Sequence, residues 1–117
     1  MPEQVENLKV WQKSMELVTK VYEETKSFPD REAYGLISQI RRAAVSIPAN
    51  IAEGKGRIHN KERIQFFYQA RGSAYELITL IKVAENLKYL NPGIAKELGS
   101  SYDEITAMLN GLIQSIK

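Results

Sequence analysis

The stretch "RRAAVSIPANIAEGKGR", residues 41–57, decides the fold of this 117-residue chain. Through it and just before it, apolar side chains recur at spacings of three and four, the period of a packed helix: Ile37, Ile40, Ala44, Ile47 and Ile51. Pro48 lies inside this row, where it removes one backbone hydrogen bond and crowds the carbonyl group of Ala44. We therefore predict a helix that is kinked at Pro48. The alternative is a break, with Ser46 capping a new helix.

Three further segments on either side of this helix have the same period. The first ends at Phe28-Pro29, because a residue before proline avoids the helical region, and Asn91-Pro92 separates the last two. The residues expected to cap the four helices are Asn7, Asp30, Asn60 and Asn91. No run alternates with a period of two, so no strand is predicted. The pattern favours an all-α, antiparallel up-down-up-down four-helix bundle, a single domain over residues 1–117.

Composition narrows the chemistry that this chain can perform. Hydrophobic residues make up 44% and charged residues 26% of it, which is typical of a soluble globular protein. The lack of cysteine excludes disulfides and thiolate chemistry, and a single histidine, His59, argues against a histidine-based metal site. The N-terminus has no basic-then-apolar secretion signal, and no apolar run is long enough to span a membrane. We expect a cytoplasmic protein without a metal or cofactor.

Polar residues at helical spacing form a row beside the apolar row of the second helix, and a similar row follows on the third. If the chain turns directly after the second helix, Ser46 lies opposite Gln69, to within about one helical turn. Arg42 then lies opposite Ser73 and can pair with Glu76. Buried polar groups need such partners. We predict a sealed polar seam formed by Gln39, Arg42, Ser46, Asn50, Glu53, Gln69, Ser73 and Glu76.

Small residues accompany the polar seam on both helices. A glycine inside a helix costs about 1 kcal/mol relative to alanine, so Gly72 calls for a packing reason. In the same alignment of the two helices, Gly72 lies opposite Ala43. We therefore predict that the second and third helices approach each other closely at these two residues.

Two other interpretations of the polar row stay open. It could be a solvated face, although such faces usually carry lysine and glutamate rather than short amides and serines. It could also carry chemistry, but Ser46 and Ser73 have no histidine near enough to act as a base. Glu53 and Glu62 could approach across the turn and bind a metal, yet the Glu-x-x-His pairs of di-metal bundles are absent. No enzymatic activity is predicted.

Positive charge is concentrated in the middle of the chain. Residues 31–71 contain eight basic and three acidic residues, whereas the whole chain has a net charge of only +2. Most of these cations fall between the second and third helices, and the candidate nucleic-acid-binding residues are Lys55, Arg57, His59, Lys61, Arg63 and Arg41. Repeated around an oligomer, such a turn would attract the phosphate backbone of RNA or DNA with little sequence preference. The alternative is a loop that is merely solvated by its charged side chains.

Apolar residues exceed what the core of one bundle needs. Phe66, Phe67 and Tyr68 are consecutive and point about 100° apart on a helix, so we predict that they form an oligomer interface. The first helix carries two adjacent apolar rows: Leu8, Trp11, Met15, Val18 and Tyr22 in one, and Val10, Leu17, Val21 and Phe28 in the other. The alternative in both cases is a wide face wrapped by two neighbouring helices.

The motif SIPANIAEG, residues 46–54, is followed at a fixed distance by GSAYEL, residues 72–77. This pair resembles the bacterial four-helix-bundle family of proteins encoded in intervening sequences of large-subunit ribosomal RNA genes. The resemblance covers nearly the whole chain. The matching positions are Ser46, Ile47, Pro48, Asn50, Ala52, Glu53, Gly54, Gly72, Ser73 and Glu76.

The resemblance implies an antiparallel four-helix bundle assembled as a ring-like homo-oligomer, a pentamer. It also implies similarity to the accessory proteins of diversity-generating retroelements, which bind nucleic acid beside a reverse transcriptase. It implies no established biochemical activity. Two functional hypotheses follow. One is a non-enzymatic accessory protein that binds structured RNA or RNA–DNA intermediates, and the other is a scaffold that assembles with a protein partner.

Overall fold

Four long helices account for most of the chain. The computed structural model describes residues 4–117. The helices are α1 (Lys9–Thr25), α2 (Leu36–Lys55), α3 (Asn60–Asn86) and α4 (Pro92–Ile116), and single 3₁₀ turns lie at Val5–Asn7 and Asp30–Glu32. No strand occurs in residues 4–117. The all-α prediction is confirmed. Within the same residues, no helix combines the length and the hydropathy that crossing a membrane requires.

The helices form an elongated antiparallel bundle of 45 × 22 × 20 Å. Each helix packs against the helices next to it in the chain, and α1 packs against α4 to close the bundle. Two ion pairs join α1 to α4 in antiparallel register: Lys13 to Glu104 at 2.6 Å, and Lys20 to Glu97. This arrangement is the up-down-up-down order that the sequence predicts.

The core of the bundle is one continuous hydrophobic cluster to which all four helices contribute. The apolar row of α2 lies in it, and Ala44, Ile47 and Ile51 are completely inaccessible to solvent. Tyr102 of α4 is also fully buried, and its hydroxyl group has no hydrogen-bond partner within residues 4–117. Burial raises the pKa of Tyr102, so this hydroxyl group stays protonated.

Helix α2 continues through Pro48 without a break. The alternative of a new helix capped by Ser46 is therefore wrong. The hydroxyl group of Ser46 lies 2.8 Å from the carbonyl oxygen of Ala43, as expected inside a helix and not at its start. Pro48 is buried on the core side of α2. The kink expected at Pro48 stays a prediction.

The connection between α3 and α4 is built from local signals. Asn91 is the N-cap of α4, its side chain accepts a hydrogen bond from the Ile94 amide at 2.8 Å, and Pro92 begins the helix, all as predicted. Lys88 has a φ of 65°, the left-handed conformation that commonly follows a helix. The chain then places Tyr89 against Phe28, with ring centroids 5.3 Å apart.

The other three predicted caps are wrong: Asn7, Asp30 and Asn60. Asn7 and Asp30 fall in the 3₁₀ turns, one residue or more before the helices that they were expected to cap. At the start of α2, the carboxylate of Glu32 accepts the Leu36 amide at 3.2 Å instead. Asn60 is the first residue of α3 and does not precede it. A side-chain type favours a cap, but the packing of the connection decides where the helix begins.

Candidate functional site

The turn between α2 and α3 carries a cluster of cations around an open cleft. The cleft has a volume of about 460 Å³. Three of its lining residues are Lys55, Arg57 and Arg63, and Ile58 beside them is 83% exposed. We call this feature the basic-turn cleft. The structure thus brings three of the predicted nucleic-acid-binding residues together on one concave surface.

The two arginines of the basic-turn cleft are held in place by the protein. The guanidinium group of Arg57 lies 4.7 Å from the ring centroid of Phe66 and 3.1 Å from the carboxylate of Glu53. Arg63 donates from Nε to the carbonyl oxygen of Arg57 at 2.6 Å. Each guanidinium group keeps further N–H donors that these contacts do not use. An anion that enters the cleft would therefore meet positioned donors, which lowers the entropy cost of binding.

His59 and Lys61 belong to the same turn but do not line the cleft. His59 is the N-cap residue of α3 and Lys61 lies in its first turn, and both are exposed. The side chain of His59 makes no cap hydrogen bond, so the first amides of α3 have no side-chain acceptor from that residue. These two residues extend the positive surface outward from the cleft.

Arg41 does not belong to the basic turn, and its grouping with the turn is corrected here. It precedes Lys55 by fourteen residues on α2, which is about 21 Å along a helix. Its side chain reaches α1 and donates from Nε to the Thr25 hydroxyl at 2.9 Å. A second donor of Arg41 lies 3.2 Å from the Tyr22 carbonyl oxygen.

The predicted sealed polar seam is wrong, because most of its members are exposed. Solvent reaches Gln39, Arg42, Glu53, Gln69 and Glu76 freely, whereas Ser46, Asn50 and Ser73 are half-buried. The alternative of a solvated face is the better description of the outer part of the row. The centre of the α2–α3 contact is apolar instead, with Ala43, Ala44, Ala70 and Ala74 buried.

One polar pair does join the two helices. The Oγ atoms of Ser46 and Ser73 lie 2.6 Å apart. The predicted partner of Ser46 was Gln69, so the register of α2 against α3 is shifted by four residues, one helical turn. The predicted Arg42–Glu76 ion pair is not formed within residues 4–117, although both side chains line a shallow surface cleft beside the serines. Asn50 donates within its own helix to the Ser46 carbonyl oxygen at 2.9 Å.

Close approach of the two helices occurs at Gly54, and the prediction for Gly72 is wrong. A Cβ atom added to Gly54 would lie 2.7 Å from Cε1 of Phe67 and 3.1 Å from the carbonyl oxygen of Arg63. A Cβ atom added to Gly72 would meet nothing within 4 Å. Gly54 therefore makes room for the Phe67 ring directly below the basic turn.

The three aromatic residues predicted as an oligomer interface have different surroundings. Phe67 is 1% exposed and belongs to the bundle core, so its assignment to an interface is wrong. Phe66 and Tyr68 are half-buried. Arg57 covers the ring of Phe66, and the guanidinium group of Arg71 lies 4.7 Å from the ring centroid of Tyr68. Cations from the same chain already cover these two rings.

Sequence reasoning missed an exposed apolar strip on α1 and α2. Met15, Tyr22 and Val45 are 42%, 40% and 43% exposed. The double apolar row on α1 contained the signal, because Val10, Leu17 and Val21 of the second row fill the core and leave Met15 and Tyr22 of the first row outside it. We call Met15, Tyr22 and Val45 the apolar strip.

Residues 4–117 do not assemble a recognisable catalytic centre. No group of three or more His, Cys, Asp or Glu side chains that could hold a metal occurs in this part of the chain. The Ser46–Ser73 pair lacks a base, because His59 precedes Ser73 by fourteen residues on the same helix, about 21 Å away. Glu53, which was considered as a metal ligand, pairs with Arg57.

Fold and surface together define a four-helix bundle protein whose cations gather at one turn. The chain belongs to the 23S rRNA-intervening sequence protein family, whose model matches residues 6–111. It is also similar to the crystal structure of a protein of unknown function from the S23 ribosomal protein family of Bacteroides thetaiotaomicron. That likeness has a TM-score of 0.83 at 22% identity and covers 89% of this chain and 97% of the other. No curated protein matches the chain. The family expected from the SIPANIAEG and GSAYEL motifs is confirmed.

Proposed function

We propose that this protein is a non-enzymatic, oligomeric, cytoplasmic protein that binds nucleic acid through its basic turn. The ligand class is structured RNA or an RNA–DNA intermediate. The observation that carries the proposal is the convergence of Lys55, Arg57 and Arg63 on one open cleft.

The chemistry of the cleft suits phosphate groups. Guanidinium groups bind phosphate oxygens with two parallel hydrogen bonds, and Arg57 and Arg63 are held in place before a ligand arrives. The first amides of α3 lie beside them and add a partial positive charge. Among the cleft's lining residues there is no acidic side chain. Binding of this kind reads the backbone and carries little sequence preference.

Oligomer formation would multiply the charge of the turn. In a cyclic homo-oligomer, for which the family resemblance implies five subunits, each subunit contributes one basic turn, and the turns form a ring of positive potential. The apolar strip is the surface of one chain that an adjacent subunit would most favourably cover, because it leaves three large side chains in water.

The proposal is tested by titrating a fluorescein-labelled RNA hairpin at two salt concentrations. Wild-type affinity should fall as salt rises, because bound phosphates release counterions. Arg57→Glu combined with Lys61→Glu should weaken binding at least tenfold at low salt and lower the logarithmic salt slope by about 2. Lys82→Glu combined with Lys96→Glu is the matched control, since it changes the net charge equally on the exposed α3–α4 face. Salt-independent binding, or equal binding by both double variants, contradicts the proposal.

The apolar strip favours a second candidate, a scaffold that assembles with a protein partner and binds no nucleic acid. Val45→Lys places a charge in the centre of the strip and should abolish such an assembly. The measurement is affinity capture of the partner after nuclease treatment, with wild type and Val45→Lys compared side by side. Partner capture that survives nuclease and is lost in the variant would support the scaffold, whereas equal capture by both proteins would contradict it.

A further inference from the structure

A second cleft lies near the opposite end of α2 from the basic turn. It is open, has a volume of about 590 Å³, and lies between the end of α1, residues 33–35 and the first half of α2. Tyr22, Tyr34, Arg41 and Arg42 are among its lining residues. We propose that this cleft binds one nucleotide unit of a single-stranded nucleic acid, with the base stacked on tyrosine and the phosphate held by arginine. The ligand class rests on the proposed function, but the residues are entirely different.

Two tyrosine rings at this cleft are available for stacking. Tyr34 is completely exposed, at 101% of its reference area, and Tyr22 is 40% exposed. Tyr34 makes no hydrogen bond or ring contact within residues 4–117. Stacking of a base on such a ring contributes about 1–3 kcal/mol and tolerates any sequence, because every base has a flat face.

The two arginines differ in how they are held. The guanidinium group of Arg41 lies 4.5 Å from the Tyr22 ring centroid and is fixed by its hydrogen bonds to α1. Arg42 is exposed and forms no ion pair or hydrogen bond within the described chain. Arg41 thus supplies a rigid planar surface next to Tyr22, and Arg42 supplies a mobile cation that can follow a phosphate group.

The charge of the lining selects an anionic ligand. The lining includes two cations and no acidic side chain. Glu32, the nearest carboxylate along the chain, is engaged elsewhere, since one of its oxygens accepts the Tyr89 hydroxyl at 2.9 Å and the other accepts the Leu36 amide. A volume of about 590 Å³ falls in the usual range of small-ligand sites.

Aromatic rings beside cations favour an unpaired nucleotide over a duplex. In a duplex the flat faces of the bases are covered by neighbouring bases, so Tyr34 could not stack on them. The basic turn contacts phosphates and makes no such distinction. The two clefts therefore predict different specificities for one protein.

The test compares a fluorescein-labelled twelve-nucleotide oligo-dT with a twelve-base-pair duplex by fluorescence anisotropy. Tyr34→Ala should weaken binding of oligo-dT by roughly 5- to 100-fold and leave duplex binding unchanged. Tyr34→Phe keeps the ring and should bind like wild type. Tyr75→Ala removes another exposed tyrosine, from α3, and should also bind like wild type.

The outcomes separate the two clefts. If Tyr34→Ala binds oligo-dT as tightly as Tyr75→Ala does, the stacking cleft is overturned while the basic turn stands. If the Arg57→Glu, Lys61→Glu protein loses no affinity but Tyr34→Ala does, the basic turn fails and the stacking cleft survives. If wild type binds neither oligonucleotide, both proposals fail. Displacement of oligo-dT by an acidic tyrosine-containing peptide that binds more tightly would assign the cleft to a protein ligand and overturn the nucleotide.

A photocrosslink gives an independent readout of position. With 5-bromouracil in place of thymine, irradiation should join the oligonucleotide to the tryptic peptide of residues 32–41, which contains Tyr34. The crosslink should disappear in Tyr34→Ala. Crosslinks confined to peptides from the basic turn would overturn the proposal.

Discussion

The turn end and the middle of the α2–α3 hairpin each contain a glycine, but only one of them has a packing role. At the turn end, Gly54 is buried, and a Cβ atom there would lie 2.7 Å from the Phe67 ring. In the middle, Gly72 is exposed and has open space around its missing side chain. The difference teaches that a glycine is required by the bulk of the residue opposite it, and its position within a helix is no guide.

The packed end of the hairpin is also the end that carries the cations. Phe67 fills the space beside Gly54, and the residues on either side of this contact, Arg57 and Arg63, line the basic-turn cleft. Close packing therefore fixes the backbone from which these guanidinium groups project. The looser middle of the hairpin holds only the Ser46–Ser73 pair.

The largest expected effect comes from Phe67→Ala. Removal of a buried aromatic ring should destabilise the fold by about 3–5 kcal/mol, because burial is lost and a cavity is left behind. The measurement is urea denaturation followed by circular dichroism at fixed protein concentration. Phe66→Ala is the control, since that ring is half-buried and should cost clearly less. Equal costs would contradict the different roles assigned to the two rings.

Gly54→Ala should destabilise the protein by about 1–3 kcal/mol, because the new methyl group overpacks against a ring that cannot move away. Denaturation of the single variant measures this cost. The mechanism is checked with the double variant Gly54→Ala, Phe67→Ala, in which the obstructing ring is gone. The two costs should then sum to more than the cost of the double variant. Strict additivity would show that the Gly54–Phe67 contact is not the cause.

The smallest effect, of opposite sign, is expected for Gly72→Ala. Alanine in an exposed helix interior should stabilise the protein by roughly 0.5–1 kcal/mol, because it restricts the unfolded chain and forms helix more readily. Gly99→Ala in α4, where a Cβ atom also meets nothing within 4 Å, is the matched control. A loss of stability in Gly72→Ala, with a gain in Gly99→Ala, would restore a packing role for Gly72.

Much of the fold could be predicted because its signals are local. The row that includes Ala44, Ile47 and Ile51 predicted the core face of α2, and Asn91-Pro92 predicted the start of α4. Other local signals misled. Asp30 is a favourable cap, but the chain forms a 3₁₀ turn there and α2 begins six residues later. The Glu32 carboxylate that accepts the Leu36 amide also accepts the Tyr89 hydroxyl, a contact with a distant part of the chain.

The candidate site was predicted in part. The residues of the basic turn are close in sequence, so Lys55, Arg57 and Arg63 had to lie near one another whatever the packing. Arg41 was placed with them on charge alone, although its side chain contacts α1. Its neighbour Tyr34 lies in a connection without helical period, so no sequence pattern indicated that an exposed ring would lie beside two arginines.

The sequence by itself determined four helices, their antiparallel order, the inner face of α2 and the charge of its final turn, because each depends on periodicity, proline and residue type within a short window. Only the tertiary structure decided which apolar row of α1 faces the core, how α2 and α3 are aligned, and which glycine is crowded. These depend on the rotation and axial position of one helix against another. The volumes of side chains that are far apart in the sequence set both, as the Phe67 ring does for Gly54.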